Sequence, residues 1–167
     1  MTTIAAKEHP RGTVIASDSQ ATAQDKIELA APKIFERNGV TYGVAGIISL
    51  ANELRYSDLP APTGDTDAWV NNTLCPALRE MAKDLDLNRN DEGGYELGIL
   101  AIIGRRIYEI TDDLTWIRNT SGTYAIGSGY AFALGAMDMG ATPREAIEVA
   151  VTRDPNTGGK IHELTAP

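Results

Sequence analysis

KIFERNGVTYGVA, residues 33–45, sets an Asn38-Gly39 pair between two runs suited to extended backbone. Asn and Gly adopt the left-handed conformations of a two-residue type I′ turn more readily than other residues do. Lys33 to Glu36 and Val40 to Ala45 are therefore predicted to form an antiparallel hairpin. Upstream, Thr3 to Ala6 and Thr13 to Ser17 read as strands joined through His9, Pro10, Arg11 and Gly12. Downstream, Leu97 to Ile103 and Arg106 to Thr111 flank Gly104-Arg105 as a third pair.

Helical periodicity fills the spaces between these pairs. Ile48 to Tyr56 suits a short helix, and SDLPAPTGD, residues 57–65, is a loop by its Pro, Gly and Asp content. From about Thr66 to Leu85, the residues Val70, Leu74, Leu78, Met81 and Leu85 make one apolar stripe, with Asp65 or Thr66 as the cap. Pro76 predicts a kink there or a division into two helices, because proline lacks an N–H and crowds the preceding turn. NRNDEGG ends this region. The small-residue run Tyr130 to Gly140 and the segment Pro143 to Arg153 read as two more helices, the second capped by Thr142 with Glu145 in its first turn. Lys160 to Leu164 is the expected last strand. No internal repeat or linker interrupts the pattern, which predicts one α+β domain over residues 1–167, with helices packed on antiparallel sheets.

Composition narrows the function classes. The 167 residues are 43% hydrophobic and 23% charged, the balance of a soluble globular protein. No apolar run approaches the ~20 residues that span a bilayer, and the opening MTTIAAKEHPRG lacks the pattern of a secretory signal, so an intracellular, cytoplasmic protein is expected. The net charge is −8 and the Lys and Arg residues are scattered, which argues against nucleic-acid binding. His9 and His162 have no neighbours at metal-ligand spacing, so no metal site is expected. Cys75, the one cysteine, falls on the apolar stripe and reads as core filling.

Six separated segments carry a resemblance. They are TTIAA at the start, SDSQAT at Ser17 to Thr22, PKI at Pro32 to Ile34, VAG at Val44 to Gly46, AIGSG at Ala125 to Gly129, and RDPNTGG at Arg153 to Gly159. In order and spacing they resemble the catalytic β subunits of proteasomes and the bacterial HslV-type peptidases, over nearly the whole chain. The resemblance implies a four-layer αββα sandwich, two antiparallel sheets flanked by helices, of the N-terminal nucleophile hydrolase class. It implies Thr2 as the nucleophile after removal of Met1, Asp18 as a buried acid, Lys33 beside the nucleophile and Gly46 in the oxyanion hole. Ser128, Asp154 and Thr157 match the supporting network, with Thr157 standing where a serine is more usual. Ala21, Ala31 and Val44 would line the pocket for the side chain preceding the scissile bond, and Thr22 would hold the substrate backbone. These small, apolar walls suggest an apolar side chain there. Lys33 follows Asp18 by 15 positions, one fewer than the family pattern, which implies a shortened loop. RDPNTGG is proteasome-like, whereas the chain length is HslV-like.

The residue types suit the chemistry. A threonine hydroxyl needs a base during attack, and a terminal threonine carries its own in an α-amine with a reference pKa near ~8. The family also implies homo-oligomeric stacked rings, unfolded polypeptide substrates, no cofactor, and an ATP-dependent AAA+ unfoldase or cap. The chain has no GxxxxGK[ST] loop of its own. Two other readings stand beside this one: an inactive proteasome-like ring or assembly protein, and a small-amide hydrolase of the wider class.

Overall fold

The computed structural model describes residues 2–22 and 25–166. In chain order the first strands are β1 (Thr3–Lys7), β2 (Thr13–Ser17), β3 (Gln20–Thr22), β4 (Lys26–Glu28), β5 (Ile34–Arg37) and β6 (Val40–Ala45). Helices α1 (Ile48–Arg55), α2 (Thr66–Trp69) and α3 (Cys75–Asp84) follow, then β7 (Gly98–Ile103), β8 (Arg106–Ile110), β9 (Trp116–Ile117) and β10 (Thr123–Gly127). Helices α4 (Tyr130–Asp138) and α5 (Pro143–Arg153) precede β11 (His162–Ala166).

The strands form one antiparallel sheet in the order β10-β1-β2-β11, a second in the order β5-β6-β7-β8-β9, and a small β3-β4 ribbon. Successive side chains of a strand face opposite sides, so the alternation of residue size decides what each face can pack against. Ile4, Ala6 and Ile15 of the first sheet meet Ile34, Leu100, Ile102 and Ile107 of the second in a core between the sheets. On the other face of the first sheet, Ala5, Ala16 and Ala125 pack under Ala133, Met137, Ala146 and Ile147 of α4 and α5. Alanine there lets the helices sit close to the backbone. The outer face of the second sheet presents Phe35, Tyr42, Ile99, Ala101 and Tyr108 to Leu50, Leu54, Leu74 and Leu78 of α1 and α3 and the turn before α3. The result is the αββα order of layers. Each fully buried Ile or Leu contributes roughly 1.5–3 kcal/mol relative to exposure.

The local signals act where expected. Asn38 and Gly39 take φ of 50° and 78° and join Arg37 to Val40, the two-residue hairpin predicted from the sequence. Gly104, at φ 58°, opens the turn that pairs Ile103 with Arg106. The proline in the long helix is accommodated differently from a simple kink. The chain passes from α2 through a π-helical turn, Val70–Leu74, directly into α3, with Pro76 in its first turn. In the widened turn the Cys75 N–H donates to the Val70 carbonyl, five residues back, directly before the proline that has no N–H to donate. Cys75 is buried in the core beside Leu74 and Leu78, and burial raises its thiol above the usual range, as suits core filling.

The sequence reading leaves out β3, β4, β9 and β10 and starts the last strand two residues early. Lys33, expected within the strand, lies one residue before β5. The tight packing of alanine against α4 and α5 is directly testable. Ala16→Leu should destabilise the protein by about 1–3 kcal/mol through overpacking, seen as a lower urea midpoint with an unchanged slope.

Candidate active site

The end of β1 is held from several sides at once. The register Thr3↔Gly127 puts the first residues of the chain beside the end of β10, where the Ser128 N–H donates to the Thr2 carbonyl at 2.8 Å. Gly127 has φ +90°, and a Cβ there would stand 1.8 Å from the Thr2 oxygen. Only glycine permits that approach. Thr2 is 7% exposed.

Asp18 follows β2 directly and is fully buried. Its Oδ1 accepts from the Thr3 N–H at 3.0 Å and from Lys33 Nζ at 2.7 Å, while Oδ2 accepts from the N–H groups of Gln20 at 3.3 Å and Gly158 at 3.0 Å. Lys33 also donates to the Gln20 carbonyl. Burial pushes the Lys33 ammonium below the usual lysine range, and the Asp18 carboxylate opposes that shift. The shortened spacing between Asp18 and Lys33 still closes this ion pair.

A second network runs behind Thr2. The Gly129 N–H donates to Thr3 Oγ1 at 2.9 Å, Thr3 and Thr157 hydroxyls meet at 2.6 Å, and both Thr157 and Ser128 hydroxyls donate to Asp154 Oδ2 at 2.6 Å. Because an ionised carboxylate only accepts, the Thr157 proton points to Asp154 and the Thr3 proton points to Thr157. Burial opposes ionisation of Asp154. The bonds from Ser128, Thr157 and the Asn156 N–H prevail and hold its carboxyl below the usual range.

Two cavities flank Thr2. The first, of about 300 Å³, is lined by Thr2, Lys33 and Gly46 together with Ala21, Thr22, Ala31 and Val44. The second, of about 610 Å³, is lined by Thr2, Gly46 and Ser128 among others. Gly46 has φ +100°, and a Cβ there would lie 2.1 Å from the Glu96 carbonyl, so glycine is required by the backbone itself. All seven residues expected to do chemistry and all four expected to bind substrate thus belong to the two cavities or to the networks behind Thr2. Met1, whose removal the resemblance implies, lies outside the described residues. Three participants escaped the sequence reading. Gly127 sits inside the quoted AIGSG run, Thr3 is the second of the opening threonines, and Arg55, at the end of α1, reaches the first cavity with no signal in the sequence.

No family model matches the chain, and no curated protein matches it in sequence. Solved structures do. Thiobacillus denitrificans BPH aligns over 98% of this chain and 97% of its own, with a TM-score of 0.80 and 19% identity. The same protein in complex with epoxomicin gives a TM-score of 0.78 and 18% identity over the same shares. Eukaryotic HslV from Trypanosoma brucei aligns over 98% of both chains, with a TM-score of 0.67 and 22% identity. The chain has the HslV/proteasome-type fold. The likeness runs end to end in both partners, so this fold accounts for all the layers described above and not for a fragment of them. Among the described residues no helix is long and apolar enough to cross a membrane.

Two measurements check the geometry. Gly127→Ala, which adds strain at positive φ to a backbone collision, should cost on the order of 2–4 kcal/mol, whereas Gly64→Ala, with open space around it, should cost about 1 kcal/mol. The lowered carboxyl of Asp154 means that its contribution to stability is complete above the ordinary carboxylate pKa and disappears as pH falls through the lowered value. Urea midpoints of Asp154→Asn should therefore fall less steeply than those of the wild type as pH drops below the ordinary carboxylate range.

Proposed function

We propose that this chain is a threonine endopeptidase, with the Thr2 hydroxyl as nucleophile and the Thr2 α-amine, freed by removal of Met1, as general base. The observation that carries the reading is that Thr2 shares one cavity with Lys33, itself ion-paired to the buried Asp18, and with Gly46. In this mechanism Oγ1 of Thr2 attacks the peptide carbonyl carbon while its proton passes to the amine. The Lys33 charge favours loss of the hydroxyl proton and keeps the amine neutral. Negative charge gathers on the former carbonyl oxygen, where the Gly46 N–H stabilises it by roughly 3 kcal/mol. The C–N bond then breaks, the leaving amine takes the proton, and water hydrolyses the ester to regenerate Thr2.

The remaining residues take supporting roles. Ser128, Asp154 and Thr157 fix the position of the terminal threonine, since Ser128 also holds the Thr2 carbonyl through its N–H. Ala21, Ala31 and Val44 form walls for the substrate residue preceding the scissile bond, and Thr22 holds its backbone by strand addition. The likeness to HslV and to a protein that binds epoxomicin supports a peptidase working in homo-oligomeric stacked rings in the cytoplasm, fed with unfolded polypeptides by an AAA+ unfoldase or cap.

Intact mass of the purified protein should show Met1 removed. The mature protein should cleave unfolded peptides, and Thr2→Ala should lower kcat by about 10³-fold or more while leaving the urea midpoint nearly unchanged. Met1 retained with no cleavage would return the chain to the inactive ring-component reading.

A further inference from the structure

The cavity beside Thr2 is electrically unlike the rest of the molecule. The protein carries a net charge of −8, yet the described residues lining this cavity include Lys33 and Arg55 and no Asp or Glu. Lys33 is neutralised by Asp18 at 2.7 Å. Arg55 has no carboxylate within ion-pair distance among the described residues. Its Nη2 donates to the Pro32 carbonyl at 2.5 Å, and its guanidinium lies 4.1 Å above the centre of the Phe35 ring, so the head group is anchored at the cavity wall. Its Nε–H is enclosed and has no acceptor among the described residues. Burial works against its charge and lowers its pKa from the usual arginine value.

A partly buried guanidinium whose Nε–H is enclosed and which has no counter-ion among the described residues carries a desolvation cost, and a carboxylate brought into the same cavity offsets it. From this we infer that Arg55 makes the cavity a receptor for an acidic side chain, so that the chain cleaves after Asp or Glu. The inference rests on the reading of Thr2 as nucleophile and names the substrate class of that same site. It replaces the apolar preference suggested by Ala21, Ala31 and Val44, whose small side chains leave room for the substrate to reach the cation. A basic side chain would meet the Arg55 cation there, and an apolar one would bury Arg55 further without a counter-ion.

The test uses the mature full-length protein and three peptides identical except for Glu, Leu or Arg before the scissile bond. The Glu peptide should have a kcat/KM about tenfold or more above that of the Leu peptide, with the Arg peptide slowest. Arg55→Met keeps the apolar stem and removes the charge. It should lower the ratio of kcat/KM for the Glu peptide to that for the Leu peptide by about 10- to 100-fold. Arg55→Lys should restore most of the Glu preference. The proposal is overturned if the wild type prefers Leu or Arg, or if folded Arg55→Met, checked by its urea midpoint, slows Glu and Leu peptides equally. If wild type and Thr2→Ala alike cut none of the three, the nucleophile reading fails and this one fails with it. Cleavage that depends on Thr2 without a Glu preference sinks the specificity alone.

Discussion

A carboxylate with no exposed surface has to be satisfied by the protein, and Asp18 imposes that requirement on four parts of the chain at once. Its two oxygens collect the Thr3 N–H, the Lys33 ammonium and the N–H groups of Gln20 and Gly158. A buried charge left unpaired costs several kcal/mol, so none of these partners can drift without penalty. The start of β1, the approach to β5 and the loop after α5 are therefore drawn to one point. Thr2 stands at that point, one residue from the Asp18–Thr3 bond.

The sheets explain why so polar a cluster is stable at the edge of a core. Between them the side chains are mainly isoleucine, and the face of the first sheet under α4 and α5 is alanine. The polar atoms collect where the strands of the two sheets end, in the region of Thr2, Ser17, Gly46 and Gly127. Two glycines with positive φ finish β6 and β10 on either side of Thr2, each where a side chain would strike a carbonyl. Close backbone approach, not flexibility, is what these positions require. The cleft is thus built from backbone placed at short range, an arrangement suited to holding an extended peptide.

Much of the fold was legible because its signals are local. Asn38-Gly39 announced a hairpin, Thr142-Pro143 with Glu145 announced α5, and the stripe from Val70 to Leu85 announced the long helix. The strands that escaped notice lack such signals. In β4, Lys26, Ile27 and Glu28 are all exposed, and β10 is a short run between glycines whose partner, β1, lies more than a hundred residues away. The response to Pro76 was also hidden, since a kink and a π-helical turn satisfy the same missing N–H.

The candidate site divides in the same way. The resemblance of six segments to a known family pointed to Thr2, Asp18, Lys33, Gly46, Ser128, Asp154 and Thr157, and the carboxylates, ammonium and hydroxyls among them can be read from the chain wherever they fall. Which of them touch was decided by strand register, which joins Thr3 to Gly127 and sets Thr157 against Thr3 across 154 positions. The charge of the cavity was decided there too. Of its walls, Ala21 and Val44 belong to the segments that suggested the site and Ala31 directly precedes another, whereas Arg55 arrives from the end of a helix. Sequence determines what each group can do chemically; only tertiary packing, through the distances that Coulomb and hydrogen-bond energies depend on, determines which groups do it together.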